Sequence, residues 1–195
     1  KRRRRESAIF WEERNAWFSD VWMDLRGARQ ELGKEQTRGR SGAFPLELAY
    51  RLVCMFSAKG DTVLDPFLGT GTTARAAAAA GRSSIGLEIE AGLRDDIFAG
   101  LHGLIPAARR RIQARIEAHL AFLDTCRTTG RDLRHLNRHY RFPVVTSQET
   151  DLLLNLPDAV RLHPPEGFEV SYRDDPPGVF GAVERAPAET RTAGP

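Results

Sequence analysis

Between Thr62 and Glu88 the sequence sets out a strand, a glycine-bearing turn, a helix and a second strand in immediate succession. Thr62-Val63-Leu64-Asp65 is short, β-branched and apolar, and it ends on an acid. Pro66 to Gly71 turns the chain. Thr72 to Ala80 is alanine-rich with Gly81 behind it, and Ser84-Ile85-Gly86-Leu87-Glu88 is apolar and again ends on an acid. Such a unit folds as a right-handed βαβ crossover with parallel strands. The small side chains let the helix lie close on the sheet, and Gly81 supplies its stop. The fold class is α/β.

Helical spacing extends this unit in both directions. Pro45 suits the first position of a helix in which Leu46, Ala49, Leu52, Val53 and Phe56 recur on one face until Gly60. Leu93 to Leu104, and Pro106 to about Arg127, also read as helices, the second strongly basic. Upstream, Phe10, Trp11, Trp17, Phe18 and Trp22 crowd among charges, a density that predicts a packed segment or an interface. Gly27 to Gly42 reads as a basic loop, and the proline and glycine content rises after Pro157. With 195 residues, 41% of them hydrophobic, the chain can bury one sizeable core. The expected partition is an aromatic and basic segment over 1–42, the α/β core over 43–128, a basic extension over 129–180 and a disordered tail over 181–195.

No apolar run approaches the roughly 20 residues of a membrane helix, and no signal-peptide core is visible. Cys54 and Cys126 form no metal-like pair and read as reduced thiols of a cytoplasmic protein. The net charge of +3 is dominated by arginine near the N-terminus and between Arg109 and Arg141, which points to a polyanionic partner. Lys1 to Arg5 reads as a solvated end rather than as a specific site.

The turn Asp65-Pro66-Phe67-Leu68-Gly69-Thr70-Gly71-Thr72-Thr73 carries the chemistry, because glycines at a strand-to-helix turn admit a ligand that a Cβ would exclude. Gly69-x-Gly71-x-x-Ala74 satisfies a dinucleotide fingerprint, with Glu88 near the spacing at which an acid holds ribose hydroxyls. Charge separates the candidates. Like unit charges about 4 Å apart cost roughly 4 kcal/mol at an effective dielectric near 20, so Asp65 repels a pyrophosphate and attracts a cation. The lysine of a triphosphate-binding loop is missing. S-adenosylmethionine, a cation, fits better than NAD. Taken singly, Asp65 also reads as a helix cap and Glu88 as a solvated strand end, and Thr70 and Thr72 read both as caps and as donors to a cofactor carboxylate.

Three stretches together carry a resemblance: Ala43-Phe44-Pro45-x-Glu47-Leu48-Ala49-x-Arg51-Leu52, Gly60-Asp61-Thr62-Val63-Leu64-Asp65-Pro66-Phe67-x-Gly69-Thr70-Gly71-Thr72-Thr73, and Gly81-Arg82 with Ile85-Gly86-x-Glu88. From Trp17 to Ile97 the chain resembles the permuted (β-class) amino-methyltransferases of bacterial DNA modification. The resemblance implies a Rossmann-like parallel-sheet methyltransferase fold, here incomplete and followed by a basic helical extension. It implies that Phe44 and Pro45 line the cofactor pocket, that Asp65 and the loop Gly69, Thr70, Gly71 and Thr72 hold the methionine end of S-adenosylmethionine, that Glu88 binds the ribose, and that Pro66 and Phe67 belong to the same cofactor site. The implied reaction methylates an exocyclic amine of adenine or cytosine in double-stranded DNA, on a base flipped out of the duplex.

Two departures accompany the match. Arg40-Ser41-Gly42 stands where the family carries His-Pro, and the D/S/N-P-P-aromatic tetrapeptide that receives the target amine is missing upstream of the glycine loop. Asp175-Pro176-Pro177-Gly178 lacks the aromatic and reads as a turn. The sequence also opens on Lys1, so the expectation is a fragment or one part of a split enzyme, completed by an upstream methyltransferase segment or subunit, with a cognate restriction endonuclease as a further partner. Arg109, Arg110, Arg111, Arg115, Arg134, Arg138 and Arg141, with His135, His139 and Tyr140, form either a DNA face or an ordinary solvated arginine surface. Two other functions stay open: a catalytically inactive S-adenosylmethionine- or DNA-binding subunit, and an NAD-type oxidoreductase.

Overall fold

The computed structural model describes residues 2–25, 44–164 and 167–173. The basic loop before Phe44, the Asp175-Pro176-Pro177-Gly178 turn and the expected tail over 181–195 lie outside the described residues. The elements are α1 (Arg2–Glu6), α2 (Trp11–Trp17), α3 (Leu46–Phe56), β1 (Thr62–Asp65), α4 (Thr72–Ala79), β2 (Ser83–Gly86), α5 (Arg94–Leu101), α6 (Leu104–Thr128), β3 (His135–Leu136), β4 (Pro143–Val144), β5 (Leu156–His163) and β6 (Gly167–Arg173). Short 3-10 turns stand at Ala91–Leu93 and Ser147–Asp151.

The predicted βαβ unit forms. β1 and β2 pair in parallel, Thr62 beside Ser83 and Leu64 beside Ile85. Pro45 caps α3 rather than opening it, since its fixed φ of −65° is combined with an extended ψ. Gly81 closes α4 at φ +74°, a left-handed turn that a side chain would resist. Arg82 then ties the ends of two helices together, donating to the Ser57 carbonyl at 2.7 Å and to the Ala80 carbonyl. Both C-terminal ends meet at one arginine and α3 packs along α4. The starts of both helices, Phe44-Pro45 and the glycine turn, therefore lie at the same end of the molecule.

Two apolar clusters share α6. The first joins Trp17, Tyr50, Val53 and the alanines of α4 to Leu101, Leu104 and Ala108; the second joins Phe10, Val144, Leu152 and Leu156 to Ile112, Ile116 and Leu123. Of the crowded N-terminal aromatics, Phe10 and Trp17 are core, Trp11 and Trp22 are part-buried, and Phe18 is 51% exposed. After α6 the chain forms short antiparallel pairs. β5 and β6 make a hairpin whose Val160, Leu162, Phe168 and Val170 pack back against the first cluster. The Tyr172 hydroxyl donates to the Ala78 carbonyl at 2.6 Å and fastens the hairpin to α4.

The sheet is only partly covered. Val63 faces the core, whereas Leu64 is 63% exposed and its neighbour Ile85 57%. Both cysteines are buried free thiols, and among the described residues no helix is long and apolar enough to cross a membrane.

Candidate functional site

The glycine turn is held from both sides by strand-end carboxylates. β1 delivers Asp65, whose Oδ1 accepts a hydrogen bond from the Phe67 amide at 3.0 Å. The end of β2 leads to Glu88, whose Oε2 accepts from the Gly69 amide at 2.7 Å while Oε1 accepts from the Glu90 amide at 2.8 Å. The Leu68 amide donates to the Leu87 carbonyl at 2.8 Å, so the two strand-end loops form one platform. Gly69 and Gly71 adopt φ of +55° and +78°, both left-handed. At Gly71 a Cβ would also stand 3.2 Å from Ile97 Cγ2. Gly71 directly precedes α4, whose Thr72 is buried.

The platform suits a ligand with positive charge and hydroxyl groups. Among the described residues the hydrogen-bond partners of both acids are backbone amides rather than cations. A carboxylate oxygen has two lone pairs, so each Glu88 oxygen that takes one amide can still accept a hydroxyl. Phe67, 87% exposed, and Ile89, fully exposed, add apolar surface at the rim. Ile89 escaped sequence reasoning, although its place directly after Glu88 on the strand-end loop was readable. Phe44 is part-exposed at the start of α3, at the same end of the molecule as the turn.

The arginines predicted to face DNA divide. Arg110, Arg134 and Arg141 are exposed. Arg138 is exposed and pairs with Asp151 at 2.9 Å; Arg109 pairs with Asp158 at 3.2 Å. Arg111 is half-buried, hydrogen-bonded to Glu47 and stacked over Tyr50. Arg115 must be removed from that set. It is buried, donates to both oxygens of Glu13 at 2.6 and 2.7 Å and to the Tyr50 hydroxyl at 3.0 Å, and has no surface to offer a phosphate. Burial in turn pushes the Tyr50 hydroxyl up to about 12. Tyr140 is likewise engaged, its hydroxyl accepting from the Leu154 amide at 2.7 Å and its ring stacked on Phe142.

A parallel βαβ unit with a glycine turn at the carboxyl ends of its strands defines the class: an α/β protein, a class in which small ligands bind at that end of the sheet. Comparison with known proteins narrows the class. Residues 1–98 match the family described as DNA methylase, N6_N4_Mtase, and the chain belongs to that family. It is 44% identical over 171 residues to the type II methyltransferase M.MthZI of Methanothermobacter thermautotrophicus, covering 88% of this chain and 47% of M.MthZI. It is 50% identical over 88 residues to the type II methyltransferase M.MjaI of Methanocaldococcus jannaschii, covering 45% of this chain and 28% of that protein. Among solved structures, a Thermus thermophilus protein assigned to the DNA modification methylases, in complex with S-adenosyl-L-methionine, matches with a TM-score of 0.44 and 36% identity over 54% of this chain and 38% of that one. The chain thus spans about half, or less, of the length of the curated relatives it matches.

Proposed function

We propose that this chain is the methyl-donor half of a site-specific DNA amino-methyltransferase, and that it binds S-adenosylmethionine on the platform of Asp65, the Gly69 to Thr72 turn and Glu88. The carrying observation is that two acids, each accepting from backbone amides, bracket one left-handed glycine turn. A pyrophosphate would meet like charge there, which argues against the NAD reading. S-adenosylmethionine, when bound, supplies a methyl group on a cationic sulfur. The chain's residues supply position and charge: Asp65 attracts the cationic end, the turn lets the backbone approach it, Glu88 accepts the ribose hydroxyls, and Phe67, Phe44 and Pro45 present apolar surface.

On this reading the partners are double-stranded DNA, contacted by Arg110, Arg134, Arg138 and Arg141, and a second methylase segment that carries the tetrapeptide for the target amine. The setting is the cytoplasm, with a cognate endonuclease in a restriction-modification pair. The test is calorimetric titration of the full chain with S-adenosylmethionine and with NAD. Saturable donor binding that Asp65→Ala abolishes is the expected result. Tight NAD binding with no response to the donor would overturn the reading. An inactive donor-binding subunit is separated from a half-enzyme by methyl transfer to DNA once a second methylase segment is added.

A further inference from the structure

Charge of the opposite sign stands at the helix end of the glycine turn. Arg75 follows Thr72 by three residues on one face of α4, and helical side chains lean toward the N-terminus. Its Nη2 accordingly donates to the Thr72 hydroxyl oxygen at 3.3 Å. The stem and guanidinium lie over Gly100 of α5, where an added Cβ would stand 3.4 Å from Nη1 and 3.5 Å from Cδ. Thr72 is buried and Arg75 half-buried, and burial holds the guanidinium below the usual arginine value.

Two features make this a costly place for a cation. The start of α4 is the positive pole of the helix dipole, which disfavours a like charge. Removal from water adds to the cost. An anion seated at the turn offsets both. The contact with Thr72 also sets a direction. A hydroxyl has one proton and two lone pairs, so an oxygen that accepts from a guanidinium turns its proton elsewhere, toward an acceptor.

We propose that Arg75 is a positioning residue for the methyl donor: it sets Thr72 as a hydrogen-bond donor to the carboxylate of S-adenosylmethionine and supplies the positive charge behind that contact. The inference deepens the donor-binding reading above and rests on it. The amino-acid end of the donor carries an ammonium and a carboxylate on one carbon. Asp65, at the strand side of the turn, answers the first; Thr72 with Arg75, at the helix side, answers the second. The turn is thereby matched to a zwitterion rather than to a cation alone. A sulfonium without a carboxylate gains nothing from Arg75, and that difference separates a ligand contact from a packing role.

For the test, the full chain and its Arg75→Met and Arg75→Lys variants are titrated calorimetrically with two donors. One is S-adenosylmethionine and the other decarboxylated S-adenosylmethionine, which keeps the sulfonium, ribose and adenine and lacks only the carboxylate. Thermal unfolding of each variant is followed alongside. The unsubstituted chain should prefer the carboxylated donor by about tenfold or more. Arg75→Met should weaken S-adenosylmethionine by about tenfold and leave the decarboxylated donor within about twofold of its original affinity. Arg75→Lys, which keeps the charge but not the planar fork, should recover part of that loss. If Arg75→Met does not fold, the lysine variant decides, because its preference for the carboxylated donor should be reduced. An equal loss for both donors assigns Arg75 to packing between α4 and α5 and overturns the proposal. So does an undiminished preference for the carboxylated donor in whichever variant folds. An unsubstituted chain that binds neither donor defeats the donor-binding reading itself, and this inference with it.

Discussion

Glu88 reaches from the end of β2 to the Gly69 amide, 2.7 Å away, and so joins the two loops that a ligand would have to touch. The same carboxylate takes the Glu90 amide on its other oxygen. Its orientation is therefore set before any ligand arrives, which is the usual condition for a tight polar contact.

Glu88→Gln is the sharpest probe of this arrangement. An amide has one acceptor oxygen, so either Gly69 or Glu90 would face an NH2 group. Donor affinity should fall by roughly ten- to a hundredfold, the size of a lost charge-assisted hydrogen bond of about 1.5–3 kcal/mol. Calorimetry reads the affinity. Faster amide exchange at Gly69 shows that the loop, and not only the ligand contact, has been disturbed.

Gly71→Ala should be costly for two separable reasons. The left-handed φ of +78° disfavours any side chain, and the new methyl would press on Ile97 at 3.2 Å. A loss of roughly 1–3 kcal/mol in unfolding free energy is expected from the backbone alone. Adding Ile97→Val should recover only the contact part. Full recovery in denaturant titrations would show that the backbone conformation carries no cost.

Arg115 and Glu13 form a buried ion pair between α6 and α2. Arg115→Met strands the Glu13 carboxylate and should cost about 3–5 kcal/mol. In Glu13→Gln/Arg115→Met the remaining side chain is neutral and can still accept from the Phe10 amide, so much of that loss should return. A double variant as unstable as the single one in thermal unfolding would contradict this account.

Tyr172 links the hairpin to α4 and is raised by burial to about 12. Its neutral form is favoured in the folded state, so the contribution is intact below pH 10, the ordinary tyrosine value, and is lost as the pH rises toward 12. Tyr172→Phe should cost about 1 kcal/mol at neutral pH. It should also flatten the alkaline limb of the stability profile between those two values. An unchanged limb would assign the alkaline loss to another group.

The βαβ unit was legible because everything that defines it is local: an acid, a glycine turn and an alanine helix in sequence order. The fate of Arg115 was not, since its partner Glu13 stands 102 positions away and a helical arginine run looks the same whether it faces water or a carboxylate. The hairpin was missed for a different reason. Val160 and Leu162 alternate with Arg161 and His163 as a half-buried strand requires, but the prolines and glycines around them weighed toward loop. The exposure of Leu64 and Ile85 could not be read at all, because an apolar strand residue looks the same in sequence whichever face it takes.

Helix α6, 25 residues long, runs through both apolar clusters, giving Leu104 and Ala108 to one and Ile112, Ile116 and Leu123 to the other. Melting of either end withdraws support from the other. The ligand platform and the C-terminal strands should accordingly share a single calorimetric transition, and a tightly bound ligand at the glycine turn should slow proteolysis as far away as Phe142.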